Sequence, residues 1–543
     1  MFSTPYIKTG SKLLGLVAVL YLLTSTGCTK NFAGMNTNPN GVTDSMLQLD
    51  HAGLGSFFPG IEKNIVIAGA SPGDGSVYQV AQNLNADLFS GYMGTPTAFG
   101  GGVNNSTYAL NPGWDNAAYG VGFGTVMSNW YQIQQRTATT VPDFYAVANI
   151  LKVEAMHRVT DIYGPLPYTH YGAGGFSSQY DSQASIYSAF FSELDSAIAA
   201  LTAYVTQNPG ATPLVDYDLV YKGNYIEWIK FANSLRLRLA MRIVYANPTL
   251  AEAEADSAVN NPYGVMTSNN DNAQVSTGLG ITIYNPVWVI DYNYGDIRAG
   301  AVLGSFLNGY NDPRLPAYMN ASTSYPGQYL GVRSGINIQT TADRTAREGF
   351  SSMNLLENSP LQWMTAAEVS FLLAEGALRG WNMGGTAQSF YEQGIQLSFT
   401  QHGVGSASGY ITDATSTAAP YTDPVDATNN ELLGSPDLST ITIAWNSGDT
   451  FEHNLERIIT QKWLAVFPEG EEAWAEFRRT GYPKIWPVLV NYSQGLISTQ
   501  VQIRRLPFPQ SEYSAEPASV MAAAVSLLSG PDNGGTKLWW DQK

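Results

Sequence analysis

Carboxylate pairs are the simplest catalytic groups in this sequence of 543 residues, because cleavage of a glycosidic bond needs only two of them. Glu368 and Glu375 are seven positions apart, which places both on one face of a predicted helix. Four more acids surround the start of a later predicted helix: Glu469, Glu471, Glu472 and Glu476. Packing and solvation at a helix surface explain the first pair, and the helix dipole explains the second group. The sequence therefore gives no positive indication of an enzyme.

Metal chemistry has equally little support. His157 and Asp161 are four residues apart and share a helix face. A metal site needs further ligands, and none can be assigned, so we interpret the two residues as a pair on a helix surface. The sequence also lacks an HExxH zinc motif and a phosphate-binding loop that ends in Gly-Lys-Ser/Thr. We predict neither a cofactor nor a metal.

The single cysteine, Cys28, follows the layout of a secretory signal peptide. Two lysines form a basic start, and residues 13–23 form an apolar stretch that is too short to span a membrane. The last residues, Thr-Ser-Thr-Gly-Cys, resemble a bacterial lipobox, although Ser25 stands where leucine is usual. We predict a signal peptide over residues 1–27 and a lipid on Cys28. The alternative is an ordinary signal peptide with a chance cysteine.

Composition limits the kind of ligand. The formal net charge of −17 argues against nucleic-acid binding, which needs a basic surface. Only 13% of residues are charged, whereas 12% are aromatic, with 32 tyrosines. Such a surface suits neutral polar ligands better than ionic ones.

Helical periodicity recurs along the chain and predicts a mainly helical protein with small β-hairpins in the loops. The periodic segments cover residues 145–164, 185–201, 225–244, 365–381, 386–399, 455–467 and 471–483. A Gly-Gly break separates the fourth from the fifth, which predicts a helical hairpin there. In the third, Arg236, Arg238 and Arg242 lie off the apolar stripe.

Two long stretches, residues 91–125 and 400–450, have no such period. The first is rich in Gly, Asn and Tyr and has the composition of a binding surface, although low complexity explains it equally well. The second is rich in Ser, Thr, Ala and Asp, and we interpret it as an irregular, solvated acidic insertion. Residues 28–45 carry Asn-Pro and Asn-Gly turn signals and form a predicted tether. Residues 46–543 then form one predicted domain.

Several short sequence motifs follow the lipobox-like segment in a fixed order. They are NTNPN (36–40), RVTDIYGPLPYT (158–169), LLAEGALRGW (372–381), IITQKWLAVF (458–467), AWAEFRRTGYP (473–483), RRLPFPQSEY (504–513) and KLWWD (537–541). Together they resemble the SusD/RagB family of nutrient-binding outer-membrane lipoproteins, over nearly the whole mature chain. In this set Trp463 and Trp474 are predicted core residues, and Arg478 and Arg479 are predicted to pair with nearby glutamates.

The resemblance implies a scaffold of tetratricopeptide-like helix pairs, with long loops and small β-hairpins on one side. It implies a protein that binds a nutrient, a glycan first and a peptide as the alternative. It also implies a partner, a TonB-dependent β-barrel transporter of the SusC type, over which this lipoprotein would act as a lid. The resemblance implies no catalytic activity. The lipid anchor on the outer membrane would face the cell surface. A periplasmic orientation stays open, because Thr-Lys-Asn and not acidic residues follow Cys28.

The ligand residues should lie in the irregular loops, where Trp or Tyr rings meet the apolar faces of sugars and Asn, Asp or Arg bind their hydroxyls. Two stretches fit this composition, residues 92–114 and the segment YNPVWVIDYNYGDIR, residues 284–298. The candidate ligand residues are Tyr92, Asn104, Tyr108, Trp114, Tyr284, Trp288, Asp291, Tyr292, Tyr294 and Arg298, with Phe99 beside them. Packing under loops is the alternative for each ring.

Two other classes of function compete with nutrient capture. A surface-anchored glycoside hydrolase would place two facing carboxylates in an aromatic cleft, about 5–10 Å apart. An adhesion or scaffolding protein would use tetratricopeptide-like surfaces to hold other proteins, and would show no aromatic-lined pocket.

Overall fold

The computed structural model describes Met1, residues 52–174 and residues 177–543. Residues 55–543 form one compact unit. The predicted signal peptide, the lipidated Cys28 and the tether over residues 28–45 lie outside the described residues. None of the helices that the structure describes is long and apolar enough to cross a membrane.

Eleven long α-helices build the body within the described residues. They are α1 Ser128–Thr137, α2 Pro142–Tyr163, α3 Gln183–Gln207, α4 Tyr225–Arg242, α5 Pro248–Val259, α6 Ala301–Gly309, α7 Ala366–Leu378, α8 Ala387–Gln401, α9 Phe451–Val466, α10 Gly470–Thr480 and α11 Ala518–Ser526. Each periodic segment of the sequence overlaps one of these helices, and several segments extend up to three residues past the helix end. The prediction of a mainly helical fold is confirmed.

Short elements fill the connections. The four strands are β1 Met93–Gly94, β2 Ala273–Val275, β3 Arg298–Ala299 and β4 Leu361–Met364, which pair as β1–β3 and β2–β4, both antiparallel. Short α-helices cover Ala52–Gly55, Phe58–Glu62, Ser76–Tyr78, Pro112–Asp115, Ala117–Val121, Pro286–Trp288, Leu315–Tyr318, Thr341–Arg347 and Gln510–Ala515. Turns of π-helix cover Gln79–Asp87, Gly122–Met127 and Val289–Tyr294, and 3₁₀ turns cover Phe99–Gly102, Asn105–Thr107, Asn269–Asp271 and Ala427–Asn429.

Sequential helices pack in antiparallel pairs, α2 with α3, α4 with α5 and α7 with α8. The predicted hairpin is the last of these. Helix α2 shows how the chain sets the boundaries: Pro142 occupies the first turn, where its missing N–H costs nothing, and Gly164 ends the helix at a φ of 87°, which side chains disfavour. Helix α7 of the pair α7–α8 also packs against α4 and α9, so the helix pairs share one core.

The interface between α4, α7 and α10 contains a buried ion-pair cluster. Arg238 is 1% exposed and donates to Glu368 over 2.7 Å, and it lies 3.3 Å from Glu154. Arg479 donates to Glu375 over 2.6 Å. The interpretation of Glu368 and Glu375 as solvated acids at a helix surface was therefore wrong, because their helix is covered on both faces.

A second part of the same cluster lies between α4, α9 and α10. Arg242, which is 1% exposed, donates to Glu472 over 2.5 Å and to Glu476 over 2.8 Å. Lys462 donates to Glu472 from the other side over 2.7 Å. The acids at the start of α10 thus serve as buried partners of cations. The helix dipole, which the sequence suggested, is a smaller effect than these contacts.

His157 and Asp161 do not lie on the surface, as the sequence analysis expected. The two side chains are 1% and 0% exposed in α2. Asp161 accepts hydrogen bonds from Tyr187 over 2.6 Å and from the Trp540 indole over 2.7 Å. Burial lowers the pKa of His157 well below its usual value, so the imidazole stays neutral.

Residues 400–450 are irregular, apart from one 3₁₀ turn and a few isolated contacts. They are also attached to the body, since Tyr391 donates to the Ile443 carbonyl over 2.7 Å and Tyr310 to the Ile441 carbonyl over 3.0 Å. Tyr421 is buried and donates to the Gly331 carbonyl over 2.9 Å. Tyr421, Ile441 and Ile443 are buried and anchor the segment to the body, whereas many of its other side chains are exposed to solvent.

Candidate functional site

The two predicted ligand stretches lie side by side in the fold. Strands β1 and β3 pair Met93 with Ala299 and so bring residues 92–114 next to residues 284–298. Asp296 strengthens this junction, because its carboxylate accepts from Thr97 over 2.8 Å and from Gln79 over 2.9 Å. Thr97 and Asp296 are 199 positions apart in the chain, so two distant stretches meet here. We call the surface formed by residues 92–114 and 284–298 the aromatic face.

Trp288 and Tyr292 form the most open part of the aromatic face. The rings stack with centroids 5.6 Å apart and an interplanar angle of 22°, and Tyr292 is 49% exposed. Asn285 caps the turn and accepts from the Trp288 amide over 3.4 Å. The Tyr292 hydroxyl accepts from Asn320 over 2.9 Å and donates to the Met353 carbonyl over 3.3 Å. The rings are therefore held in place while a face stays open to solvent.

Asp291 and Arg298 pin this segment from beneath. Asp291 is 2% exposed and accepts from Arg298 over 2.9 Å and from the Met353 amide over 2.5 Å. Burial raises the pKa of Asp291 to about 6, and the Arg298 charge opposes that rise. Arg298 also donates to the Glu348 carbonyl over 2.6 Å. Their predicted role as ligand contacts is corrected to a positioning role, because their polar atoms already have partners.

Tyr294 ties a further loop to the aromatic face. Its hydroxyl accepts from the Gly75 amide over 3.0 Å and donates to the Gly73 carbonyl over 3.2 Å. Tyr284 is half-buried, and its carbonyl accepts from the Gly69 amide over 2.9 Å. Both tyrosines therefore line the junction between residues 69–75 and the Trp288 segment. They stay candidates for ligand contact.

Trp114 and Phe99 form a second ring pair on the other stretch. They meet edge to face at 5.5 Å, and both are half-buried. Asn104 supports them from inside, since it donates to the Phe99 carbonyl over 2.8 Å and accepts from the Ser106 amide over 2.9 Å. Asn104 is 5% exposed, so its predicted role as a ligand contact is corrected to a capping role.

Tyr92 and Tyr108 are interior residues. Tyr92 is 0% exposed, packs on Trp463 at 4.9 Å and donates a hydrogen bond to the Trp463 carbonyl. Tyr108 is 3% exposed and adopts a left-handed φ of 61°. Burial raises the pKa values of both tyrosines, so their hydroxyls stay protonated. The prediction of Tyr92 as a ligand-contacting ring is corrected, because composition alone could not separate a core ring from a surface ring. Tyr108 stays a candidate, since it lines a cleft beside residues 103–111.

Sequence reasoning missed several features of this face. Asp296 lies inside the quoted segment 284–298, but its role depends on Thr97 and Gln79, which are far away in the chain. Residues 69–73, Gly-Ala-Ser-Pro-Gly, match the GxSxG spacing of hydrolase nucleophiles, a match that the sequence analysis overlooked. In hydrolases this motif lies on a turn between a strand and a helix. Here Gly69 forms only an isolated bridge, and the backbone amide of Asp74 donates to the Ser71 carbonyl within a loop. Among the described residues, no three His, Cys, Asp or Glu side chains could share a metal.

Comparison with known proteins identifies the family. Residues 34–541 match the SusD-like family model, described as SusD and RagB outer membrane lipoprotein. A chitin-binding SusD homolog from Flavobacterium johnsoniae is 44% identical, with a TM-score of 0.85 over 90% of this chain and 99% of that one. A SusD homolog from Bacteroides vulgatus is 38% identical, with a TM-score of 0.83 over 91% and 98% of the two chains.

A SusD-like protein from Bacteroides thetaiotaomicron is 35% identical, with a TM-score of 0.83 over 90% of this chain and 99% of that one. No curated protein matches the chain significantly. The family match covers the helical body and both stretches of the aromatic face. The chain therefore belongs to the SusD-like family of outer-membrane lipoproteins.

Proposed function

We propose that this protein captures a neutral glycan on the aromatic face and delivers it to a TonB-dependent transporter of the SusC type. The stacked pair of half-buried Trp288 and exposed Tyr292 is the observation that carries the proposal. Flat rings of this kind cover the apolar faces of sugars, and neighbouring amides and hydroxyls bind the sugar hydroxyls. Asn320 and Ser352 stand next to Tyr292 and supply such groups.

Family membership supports the class of function. Proteins of the SusD-like family are non-catalytic nutrient-binding lipoproteins, and the family implies a SusC partner in general. The chitin-binding relative from Flavobacterium johnsoniae supports polymers of N-acetylglucosamine as the first ligands to try. The lipid anchor on Cys28 and an orientation towards the cell surface complete the proposal.

Trp288→Ala should weaken the binding of a soluble chitin oligosaccharide at least tenfold, because the mutation removes the stacking surface. Isothermal calorimetry on residues 29–543, with the sugar analysed for cleavage in the same cell, measures the loss. Trp445→Ala is the control: this half-buried tryptophan packs against Tyr391, away from the aromatic face. Equal affinity of wild type and Trp288→Ala, or cleavage of the sugar, would contradict the proposal.

Asp296→Ala should weaken the same binding by about three- to tenfold, because the hydrogen bonds from Thr97 and Gln79 that align the two stretches are lost. Its melting temperature should change little, since the backbone pairing of β1 with β3 remains. Asp426→Ala is a matched control that removes contacts from a surface turn, where Asp426 accepts from Thr428. Binding by Asp296→Ala at full strength would show that the junction does not position the rings.

A further inference from the structure

A separate cleft opens beside residues 103–111, with a volume of about 710 Å³. The loops 492–497, 507–513 and 532–534 form its other walls. No residue of the segment 284–298 lines it. The volume falls within the range of about 300–1,000 Å³ that is usual for ligand sites. The cleft is therefore large enough for a small ligand of its own.

Two tyrosines and a leucine form the open rim of the cleft. Tyr492 is 37% exposed, Tyr513 is 41% exposed and Leu496 is 61% exposed. Leu110 and Ile497 form an apolar floor around Gly534, where an added Cβ would lie 2.7 Å from Ile497 and 3.0 Å from Leu110. Rings at the mouth and an apolar floor suit a ligand that has flat apolar faces.

The polar groups of the lining are uncharged amides and hydroxyls, with one exception. The amides belong to Asn111, Gln494, Gln510 and Asn533. Asp532 is the only acid in the lining, which contains no lysine or arginine. Its carboxylate is already occupied, because it pairs with Arg505 and accepts from the Phe508 amide over 3.0 Å and from the Tyr513 hydroxyl over 2.7 Å. The cleft thus offers hydrogen bonds without net charge, which favours a neutral polar ligand.

The rim is organised before any ligand binds. Asn491 accepts from the Ser493 amide and donates to the Ile497 carbonyl, each over 2.9 Å, which closes the loop on itself. Gln494 and Gly495 follow each other in left-handed conformation, with φ of 56° and 87°. A ligand would therefore meet a formed rim, and little ordering entropy would oppose its binding.

The cleft and the aromatic face share one wall. Asn111, which lines the cleft, caps the short helix Pro112–Asp115 by accepting from the Gly113 amide over 2.9 Å. That helix carries Trp114, the partner of Phe99. We infer that the cleft is a second binding site for a neutral oligosaccharide, distinct from Trp288 and Tyr292. The inference rests on the proposed function for the class of ligand, but not for the location of the site.

The test separates the two sites by single and double substitutions in residues 29–543. The probes are trimers of chitin, cellulose and starch, which are short, neutral ligands. Calorimetry measures their affinity for wild type, Trp288→Ala, Trp288→Ala/Tyr492→Ala and Trp288→Ala/Leu496→Asp. The control is Trp288→Ala/Tyr263→Ala, which changes a half-buried tyrosine on the loop after α5. Circular dichroism checks the fold of every variant.

We expect Trp288→Ala to keep a weaker, saturable site. Tyr492→Ala and Leu496→Asp should each lower that remaining affinity at least tenfold, whereas Tyr263→Ala should not. The inference is overturned if Trp288→Ala abolishes all binding, or if the cleft substitutions leave the residual affinity unchanged. If Trp288→Ala binds like wild type and the cleft variants lose binding, the cleft is supported and the proposed aromatic face is refuted. If no trimer binds wild type, both are refuted.

Discussion

Arg238→Met should lower the free energy of unfolding by about 3–5 kcal/mol, the usual cost when one member of a buried ion pair is removed. Arg238 joins three helices, because it donates to Glu368 of α7 over 2.7 Å and lies 3.3 Å from Glu154 of α2. It also donates to the Trp363 carbonyl over 2.8 Å. Methionine has a similar length but no donors, so the buried Glu368 carboxylate would lose its main cation. Urea unfolding, followed by circular dichroism, measures the loss.

A double variant of Arg238 and Glu368 shows whether stability is lost because an attraction is removed or because a buried carboxylate is left without a cation. Arg238→Met/Glu368→Gln should recover part of the lost stability, since a neutral amide replaces the unpaired carboxylate. Arg136→Met in α1 is the control, because Arg136 is exposed and should change stability by less than about 0.5 kcal/mol. A loss below about 1 kcal/mol in Arg238→Met would contradict the view that this cluster holds α2, α4 and α7 together.

This buried cluster also marks the limit of prediction from the sequence. Apolar periodicity located seven of the eleven long helices in the described residues, because one face of each of these helices packs in the core. It could not show that α4 and α7 are also covered on a second face. Arg238 and Arg242 therefore looked like surface cations, although each is 1% exposed. Charged residues are rarely buried without a partner, and those partners lie on other helices that the period of a single helix does not reveal.

The aromatic face was partly predictable for a related reason. Composition selected two stretches, and the pairing of β1 with β3 does bring them together. Composition could not tell Tyr292, which is 49% exposed, from Tyr92, which is 0% exposed, because both sit among Gly, Asn and other rings. The cleft as a whole was not predicted, although Tyr108 and Asn111 of its lining belong to the predicted stretch 92–114. Tyr492 and Asn111 reach it from segments about 380 positions apart in the chain, and neither segment carries a ligand motif.

Glu62 and Asp218 form a buried carboxyl pair that should make the protein sensitive to alkali. Both are 0% exposed. Asp218 accepts from the Trp228 indole over 2.7 Å and from the Tyr221 and Gly223 amides over 2.9 and 2.8 Å, which stabilise its charge. Burial and the neighbouring Asp218 charge raise the pKa of Glu62 well above its usual value. Burial therefore favours the protonated form of Glu62.

Proton linkage determines whether the free energy of unfolding rises or falls with pH. A carboxyl group whose pKa is raised on folding stabilises the protein fully below its pKa in the unfolded chain, about 4.3 for glutamate. That contribution is lost as the pH rises through the pKa of the folded state. In the unfolded chain Glu62 releases its proton at low pH, whereas in the folded protein the proton stays on Glu62. The free energy of unfolding should therefore fall with rising pH because of this one residue.

Glu62→Gln should remove this pH dependence, because the amide keeps the shape and a donor towards Asp218 but cannot ionise. We expect the variant to gain stability relative to wild type as the pH rises from 5 to 9, by more than about 1.4 kcal/mol, the equivalent of one pKa unit. Urea unfolding at each pH gives the difference. Other buried acids, such as Glu154 with a pKa raised to about 8, affect both proteins equally and cancel. Glu252→Gln, at an exposed site of α5, should run parallel to wild type, and a parallel curve for Glu62→Gln would mean that Glu62 is ionised in the folded protein.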